Sequence, residues 1–317
     1  MLLRRLAVTS SAATAFYLHR RSKLPNSFVL EIEAPADASA HLRTVNTLTD
    51  AATDPRVRGL VCKLGGARLS LAQAQELGDA VKRFRASKAS AAPTFAYAPE
   101  YGASADYLLA CACATIVQQP GGLLRLPAVS LELPNLGEML ARGSGGVRPV
   151  RIASGEAASG GVATASPWAE RAPTAAQVRN AEELVAGSYE QLVQGISSGR
   201  GMREWHVRRL TEFSWYGWLF GGRGATFFSA ADAEKRGLID ASLYEDAFVR
   251  MVESACGASA TANLTRYREA QRTADAFDAA VASGKHGIDL AVGLLAGAGL
   301  GGLVTFFKGA SSTASSR

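Results

Sequence analysis

Residues 94–118 read TFAYAPEYGASADYLLACACATIVQ, and this stretch decides the fold. Its first five residues, Thr94–Ala98, form a short apolar run that predicts a buried strand. Residues 105–114 are apolar over a length that predicts a helix, and Thr115–Gln118 predicts the next strand. A helix between two strands predicts a crossover connection, and therefore parallel pairing of the two strands.

The same alternation of strand and helix continues in both directions along the chain. Upstream, the predicted elements are a strand over 27–33, a helix over 41–53, a strand over 58–63 and a helix over 71–85. Downstream, they are a strand over 150–152, helices over 174–197 and 230–237, and a charged amphipathic helix over 266–283. The pattern predicts an α/β protein with a mostly parallel sheet.

The composition excludes several classes of protein. Hydrophobic residues make up 48% of the 317 residues and charged residues 20%, which allows a buried core and excludes global disorder. The four cysteines contain no CxxC pair and the four histidines no HExxH spacing, so we expect no disulfide framework, metal or cofactor. Five basic residues and no acid in the first 30 account for most of the net charge of +6. The nearly neutral remainder does not indicate nucleic-acid binding.

Both ends of the chain indicate a membrane or an organelle. Residues 1–24 are basic and rich in serine and alanine, as in a mitochondrial presequence, and a secretory or ER signal is the alternative. Residues 288–307 are apolar, with the single charge of Asp289 at their edge, and are long enough to span a bilayer. The alternative for this second segment is a glycine-rich stretch buried against a partner.

Five segments occur in an order that a known family shares. They are DPRVRGLV at 54–61, AQAQEL at 72–77, ASADYL at 103–108, SSGRGM at 197–202 and FSAADAEKRGLID at 228–240. Together they resemble the protease IV family, the signal peptide peptidase A group, from about residue 28 to 250. The resemblance implies a ClpP/crotonase-like spiral of ββα units that assembles into rings or stacks. It also implies peptide cleavage by a serine nucleophile with a lysine as general base.

The resemblance places the nucleophile at Ser104, where a serine that merely caps the following helix is the alternative. It places the oxyanion loop at Gly65 and Gly66, about three positions from the family's pattern, with the backbone of Ala105 as a further donor. A serine hydroxyl becomes a strong nucleophile only when an adjacent base takes its proton.

The remainder of the implied site departs from the family. Glu156 stands at the position of the lysine, and no lysine occurs between Lys88 and Lys235. A carboxylate at Glu156 could accept a proton only with a raised pKa, and it adds negative charge beside a serine that must become anionic. Asp106 replaces a glycine, and its charge would oppose a developing oxyanion. Lys63 is expected on a strand, with its ammonium group in solvent.

These observations predict five segments: a basic targeting segment at 1–24, a peptidase-like domain at 25–255, an amphipathic helix at 256–285, a membrane-spanning or buried glycine-rich segment at 286–308, and a polar tail at 309–317. The predicted function is a catalytically degenerate, membrane-associated member of the family that acts as an assembly or regulatory subunit. The alternative is an active or partner-completed serine endopeptidase of membrane-associated peptides. An acyl-CoA enzyme on the related crotonase-type spiral is the weakest hypothesis, because the matched segments belong to the peptidase branch.

The predicted partners are further proteins of the same fold, either copies of this chain or paralogues, together with a membrane and a possible peptide substrate. The predicted location is the mitochondrion, with the secretory pathway or ER membrane as the alternative. Whether the chain is itself an enzyme stays open at this stage.

Overall fold

The structure is a computed structural model that describes residues 24–35, 37–65, 69–88, 92–132, 173–211, 226–258 and 260–282. Its strands are β1 (Phe28–Glu33), β2 (Val57–Lys63), β3 (Thr94–Ala98), β4 (Thr115–Gln118), β5 (Leu123–Arg125), β6 (Phe227–Ser229), β7 (Ala241–Ser242) and β8 (Thr261–Asn263). Its helices are α1 (Ala38–Thr53), α2 (Leu71–Ser87), α3 (Ser104–Ala110), α4 (Ala175–Arg200), α5 (Glu204–Thr211), α6 (Ala230–Lys235), α7 (Glu245–Cys256) and α8 (Leu264–Ala282).

Six strands form one parallel sheet in the order β7-β4-β3-β2-β1-β8. The strands β5 and β6 form a separate antiparallel pair. The first four strands in the chain are joined by α1, α2 and α3, so each helix is a crossover between parallel neighbours. In such a sheet the loops that follow the strands meet at one edge, the carboxyl edge, where ligand and catalytic sites occur.

Helices cover both faces of the sheet. Alternate strand residues, among them Leu30, Leu60, Ala96 and Ile116, face the larger core, to which helices α1 to α6 and α8 contribute. The intervening residues Val29, Val61, Phe95, Tyr97 and Val117 face α7. The ring of Tyr97 stacks on Phe248 of α7, with ring centroids 4.6 Å apart. Burial on both faces explains why these strands are continuous apolar runs in the sequence.

Local signals in the sequence define several helix ends. Ser70 begins α2 in a capping box with Gln73, and Thr174 begins α4 in the same way with Gln177. The helix α4 ends at Gly201, whose φ of 63° lies in the left-handed region that favours glycine. These caps place the termini of α2 and α4, the two helices that pack against α3.

The predicted class, an α/β protein with a parallel sheet, is confirmed, and the architecture is consistent with a ClpP-like fold. The strands Thr94–Ala98 and Thr115–Gln118 have the predicted bounds, whereas the helix between them ends at Ala110 and not at residue 114. The strand predicted over 150–152 lies outside the described residues. Helices α5 and α7 and the short strands β5, β6, β7 and β8 had not been predicted.

None of the helices in the described ranges is long and apolar enough to cross a membrane. The segment at 286–308, for which a span was predicted, lies outside those ranges, as do residues 1–23.

Candidate active site at Ser104

Ser104 is the first residue of α3 and follows the carboxyl end of β3. All five residues of β3 are buried, and the chain then turns through residues 99–103 before the helix begins. Ala103 occupies the N-cap position with extended backbone angles and provides no side-chain cap. Ser104 therefore does not cap the helix, and its hydroxyl group is directed elsewhere.

The hydroxyl group of Ser104 donates a hydrogen bond to the carbonyl oxygen of Pro127 at 2.6 Å. Ser104 is partly exposed. An amide carbonyl accepts a hydrogen bond but cannot take up a proton near neutral pH, so Pro127 holds the hydroxyl group without activating it. Within the described residues, no side chain of a base is hydrogen bonded to Ser104.

Tyr101 explains why Pro127 lies beside Ser104. The backbone N–H of Tyr101 donates to Leu123, and its carbonyl accepts from Arg125, so the loop before α3 is joined to β5. The fully buried Tyr101 hydroxyl also donates to the carbonyl of Val117 at 3.1 Å. Two residues beyond β5, the chain reaches Pro127, which this pairing places against the start of α3.

Gly65 brings the loop after β2 against the same turn. Its φ is 95°, and a Cβ atom at this position would lie 2.7 Å from the carbonyl oxygen of Glu100. Glycine is therefore required by both the backbone conformation and the close approach. Of the other residues in the predicted oxyanion loop, Ala105 lies buried in the first turn of α3, where backbone N–H groups have no partner within the helix. Gly66 lies outside the described residues.

None of the four lysines in the described residues is hydrogen bonded to Ser104. Lys63 at the end of β2 forms ion pairs with Glu31 at 3.0 Å and Glu245 at 2.9 Å. The prediction that its ammonium group lies free in solvent is therefore wrong. Partial burial opposes the charged form, but the two carboxylates hold the pKa of Lys63 above its ordinary value. Lys63 thus remains charged and is not a base. Lys82 pairs with Asp79 at 3.4 Å, and Lys235 is exposed at the end of α6.

Lys88 is the one described lysine with a lowered pKa, which burial causes. Its ammonium group donates to the carbonyl oxygens of Ala51 at 3.0 Å and Asp54 at 2.6 Å. These carbonyls belong to the end of α1, just before β2 begins. Lys88 therefore lies at the amino edge of the sheet, opposite to the edge where Ser104 lies. Glu156, which stands at the lysine position in the resemblance, lies outside the described residues.

Asp106 lies in the first turn of α3, two residues after Ser104, and is only 4% exposed. Its Oδ1 atom is buried and has no hydrogen-bond partner in the part of the chain that the structure describes. Burial raises the pKa of this carboxyl from 3.8 to about 6. At pH 7 the group is largely ionised, and no cation among the described residues lowers its pKa, which disfavours a second negative charge on the neighbouring serine or on a bound oxyanion.

Close contacts with α4 and the segment before β7 hold α3 in position. A Cβ atom at Gly195 or Gly199 of α4 would collide with Leu108 and with the backbone of Cys111, respectively. The Tyr107 hydroxyl donates to the carbonyl of Leu238 at 2.6 Å. The guanidinium of Arg200, in the matched segment SSGRGM, donates to the Gly237 carbonyl and to both carboxylate oxygens of Asp240. The matched segments thus contain residues that support α3 as well as the serine itself.

The fold and this edge of the sheet define an α/β protein with a serine-peptidase-like site. The sequence model of peptidase family S49 matches residues 86–258, more than half of the chain, and the chain belongs to this family. The resemblance to protease IV is thereby confirmed. A comparison with curated proteins gives no match. Among solved structures, the chain is similar to a mutant of the membrane-bound stomatin-specific protease 1510-N, with 12% identity and a TM-score of 0.38, covering 72% of this chain and 85% of that one.

Proposed function

We propose that this chain is a non-catalytic member of peptidase family S49 that acts as an assembly or regulatory subunit. The observation that carries the proposal is that, among the described residues, no side-chain base is hydrogen bonded to Ser104. The sequence has no lysine between Lys88 and Lys235, and each of these two residues is engaged or exposed elsewhere.

Two further observations support a degenerate site. The Ser104 hydroxyl is hydrogen bonded to the carbonyl of Pro127, which cannot activate it. The uncompensated carboxyl of Asp106 disfavours the oxyanion that acyl transfer must pass through.

A fluorophosphonate probe tests the proposal on the purified full-length protein. We expect no labelling, because the probe reacts with an activated serine and the described part of the chain supplies no base to Ser104. The variants Ser104→Ala and Ser198→Ala, the second at a serine on the far end of α4, serve as a matched pair. Rapid labelling of the wild type that is lost in Ser104→Ala but kept in Ser198→Ala would overturn the proposal.

The alternative is a serine peptidase that a partner completes. It is favoured by the partial exposure of Ser104 and by its place at the start of a helix after a parallel strand. A lysine delivered by a second protein of the same fold would be desolvated at the interface, which lowers its pKa toward that of a base. The same probe applied to native membranes distinguishes the two functions. Labelling of Ser104 in membranes, but not in the isolated chain, would establish the partner-completed peptidase.

We further propose that the protein resides at a mitochondrial membrane, in a homo- or hetero-oligomer of S49-type subunits. The basic, acid-free segment at 1–24 and the apolar segment at 288–307 support this location. Fractionation with markers for the mitochondrion and the ER tests it, and affinity capture from the same membranes tests the partners. Recovery with ER markers would favour the secretory alternative.

A further inference from the structure

Two sulfur atoms lie next to each other beneath the candidate site. The Sγ atoms of Cys62 and Cys113 are 3.7 Å apart, and both residues are buried free cysteines. Cys62 is the next-to-last residue of β2, three residues before Gly65. Cys113 lies three residues after the end of α3, the helix that begins with Ser104. The sulfur pair therefore connects the two elements that form the candidate site.

The pair resembles neither a metal site nor an activated nucleophile. No group of three or more metal-ligating side chains occurs among the described residues, so the two sulfurs have no third ligand there. The Cys113 thiol donates to the Cys62 sulfur, and this hydrogen bond together with burial raises the pKa of Cys113 well above its ordinary value. A buried thiol of this kind is a weak nucleophile on its own, and a neighbouring thiol is its distinguishing feature.

We propose that Cys62 and Cys113 form an oxidative modification site, at which a small hydroperoxide joins the two residues in a disulfide. In the first step one thiol takes up an oxygen atom from hydrogen peroxide, which gives a sulfenic acid and releases one water. In the second step the other thiol attacks that sulfur, the S–O bond breaks, and a second water leaves. The two thiols lose two electrons and two protons, and the peroxide is reduced to two waters.

The structure favours a small, uncharged oxidant. Cys62 is 0% and Cys113 only 3% exposed, so a bulky or charged disulfide cannot reach them without opening the core. The raised pKa of the Cys113 thiol makes its oxidation slow. The second step is intramolecular between groups already in contact, so any sulfenic acid that forms is trapped before it reacts further.

Disulfide formation requires only a small displacement. A disulfide bond is about 2.05 Å long, so the sulfurs must approach by about 1.7 Å from their present separation. Cys113 lies in the tight turn after α3, where its N–H donates to Ala110 at 2.9 Å. Rotation of its side chain in this turn can supply the movement. The resulting bond would tie the end of β2, and with it the Gly65 turn, to the helix that carries Ser104.

The test exposes the purified, fully reduced full-length protein to hydrogen peroxide under native conditions. Remaining thiols are then alkylated, and the protein is analysed by intact mass and by peptide mapping. We expect two of the four thiols to become unavailable, a mass lower by two hydrogen atoms, a cross-linked peptide containing Cys62 and Cys113, and reversal by dithiothreitol. Amide hydrogen exchange in α3 should become slower in the oxidised protein and return to its original rate on reduction.

Matched variants make the result specific. Cys62→Ala and Cys113→Ala should each abolish the cross-link, whereas Cys256→Ala, which removes a buried cysteine on α7, should leave it unchanged. The mapping of the wild-type protein decides the question even if a variant fails to fold. Four thiols that stay free, a cross-link through Cys111 or Cys256, or unchanged exchange in α3 would overturn the proposal.

Discussion

Replacement of Asp106 by asparagine should stabilise the protein above about pH 4, with the full gain reached above about pH 6. The carboxyl is buried, its Oδ1 atom has no partner, and burial raises its pKa from 3.8 to about 6. Each unit of pKa corresponds to about 1.4 kcal/mol, so ionisation of Asp106 in the folded protein costs about 3 kcal/mol. Asparagine has a similar shape and no charge at any pH, and it therefore removes this cost.

The sign of the pH dependence follows from the two states of the chain. Below about pH 4 the carboxyl is protonated in both the folded and the unfolded protein, and it costs nothing. Between about pH 4 and pH 6 the unfolded chain ionises while the folded protein keeps its proton, so the wild type loses stability as the pH rises. Above about pH 6 the cost is constant. Asp106→Asn should therefore exceed the wild type by only about 0.5 kcal/mol at pH 4 and by about 3 kcal/mol at pH 8.

Urea unfolding of wild type and variant at pH 4 and pH 8, in the same detergent, measures this difference. The matched control is Asp246→Asn, at an aspartate in the first turn of α7 that is exposed and paired with Arg250 at 2.9 Å. The hydrogen bond from Arg250 holds the pKa of Asp246 below its ordinary value, so its removal should give no gain at pH 8. An equal effect of Asp106→Asn at both pH values, or an equal gain in the control, would refute the reasoning.

Three further outcomes can be checked directly. Gly65→Ala should lower the free energy of unfolding by about 1–3 kcal/mol, because a Cβ atom there meets the carbonyl of Glu100 at a φ of 95°; a stability within error of the wild type in urea unfolding would contradict this. Gly199→Ala should lower the free energy of unfolding by about 1–3 kcal/mol, because a Cβ atom there collides with the residue that follows α3. Gly187→Ala is the control in the same helix; it has open space around it and should raise the free energy of unfolding by up to about 1 kcal/mol. Equal melting temperatures of the two variants would contradict this. Residues 288–307 should retain the protein in membranes during alkaline carbonate extraction, and full release into the supernatant would exclude an integral span.

The sequence predicted the central strands well because burial on both faces makes them short, apolar and clearly bounded. Thr94–Ala98 and Thr115–Gln118 are the clearest cases. The helix between them was predicted to be too long, because the apolar pattern continues through Cys111 and Cys113. In the structure the chain already forms a tight turn there, in which the N–H of Ala112 donates to the carbonyl of Leu109 and the N–H of Cys113 donates to the carbonyl of Ala110. Hydrophobic periodicity does not distinguish such a turn from one more turn of helix.

The candidate site was predictable only in part. The matched segment ASADYL placed Ser104 after a strand, and the structure has it there. Its hydrogen-bond acceptor, the carbonyl of Pro127, could not have been found, because a backbone carbonyl has no signature in residue type. The strand β5, which brings Pro127 there, has three residues and pairs with β6 about one hundred positions away. The charge of Asp106 was visible in the sequence, but its burial depends on packing that no local pattern encodes.

The short outer strands of the sheet limit how copies of this protein can associate. β8 has three residues and β7 only two, and the Asp240 carboxylate already accepts the N–H of Ile116 on β4 at 2.7 Å. The two edge strands, as the structure describes them, therefore offer few backbone N–H and C=O groups that could pair with a strand of a neighbouring subunit. Lateral growth of one continuous sheet through several subunits would gain little here. As far as the described strands are concerned, contacts between subunits would therefore rest on side chains, and subunit order would depend on surface complementarity, which can discriminate between paralogues.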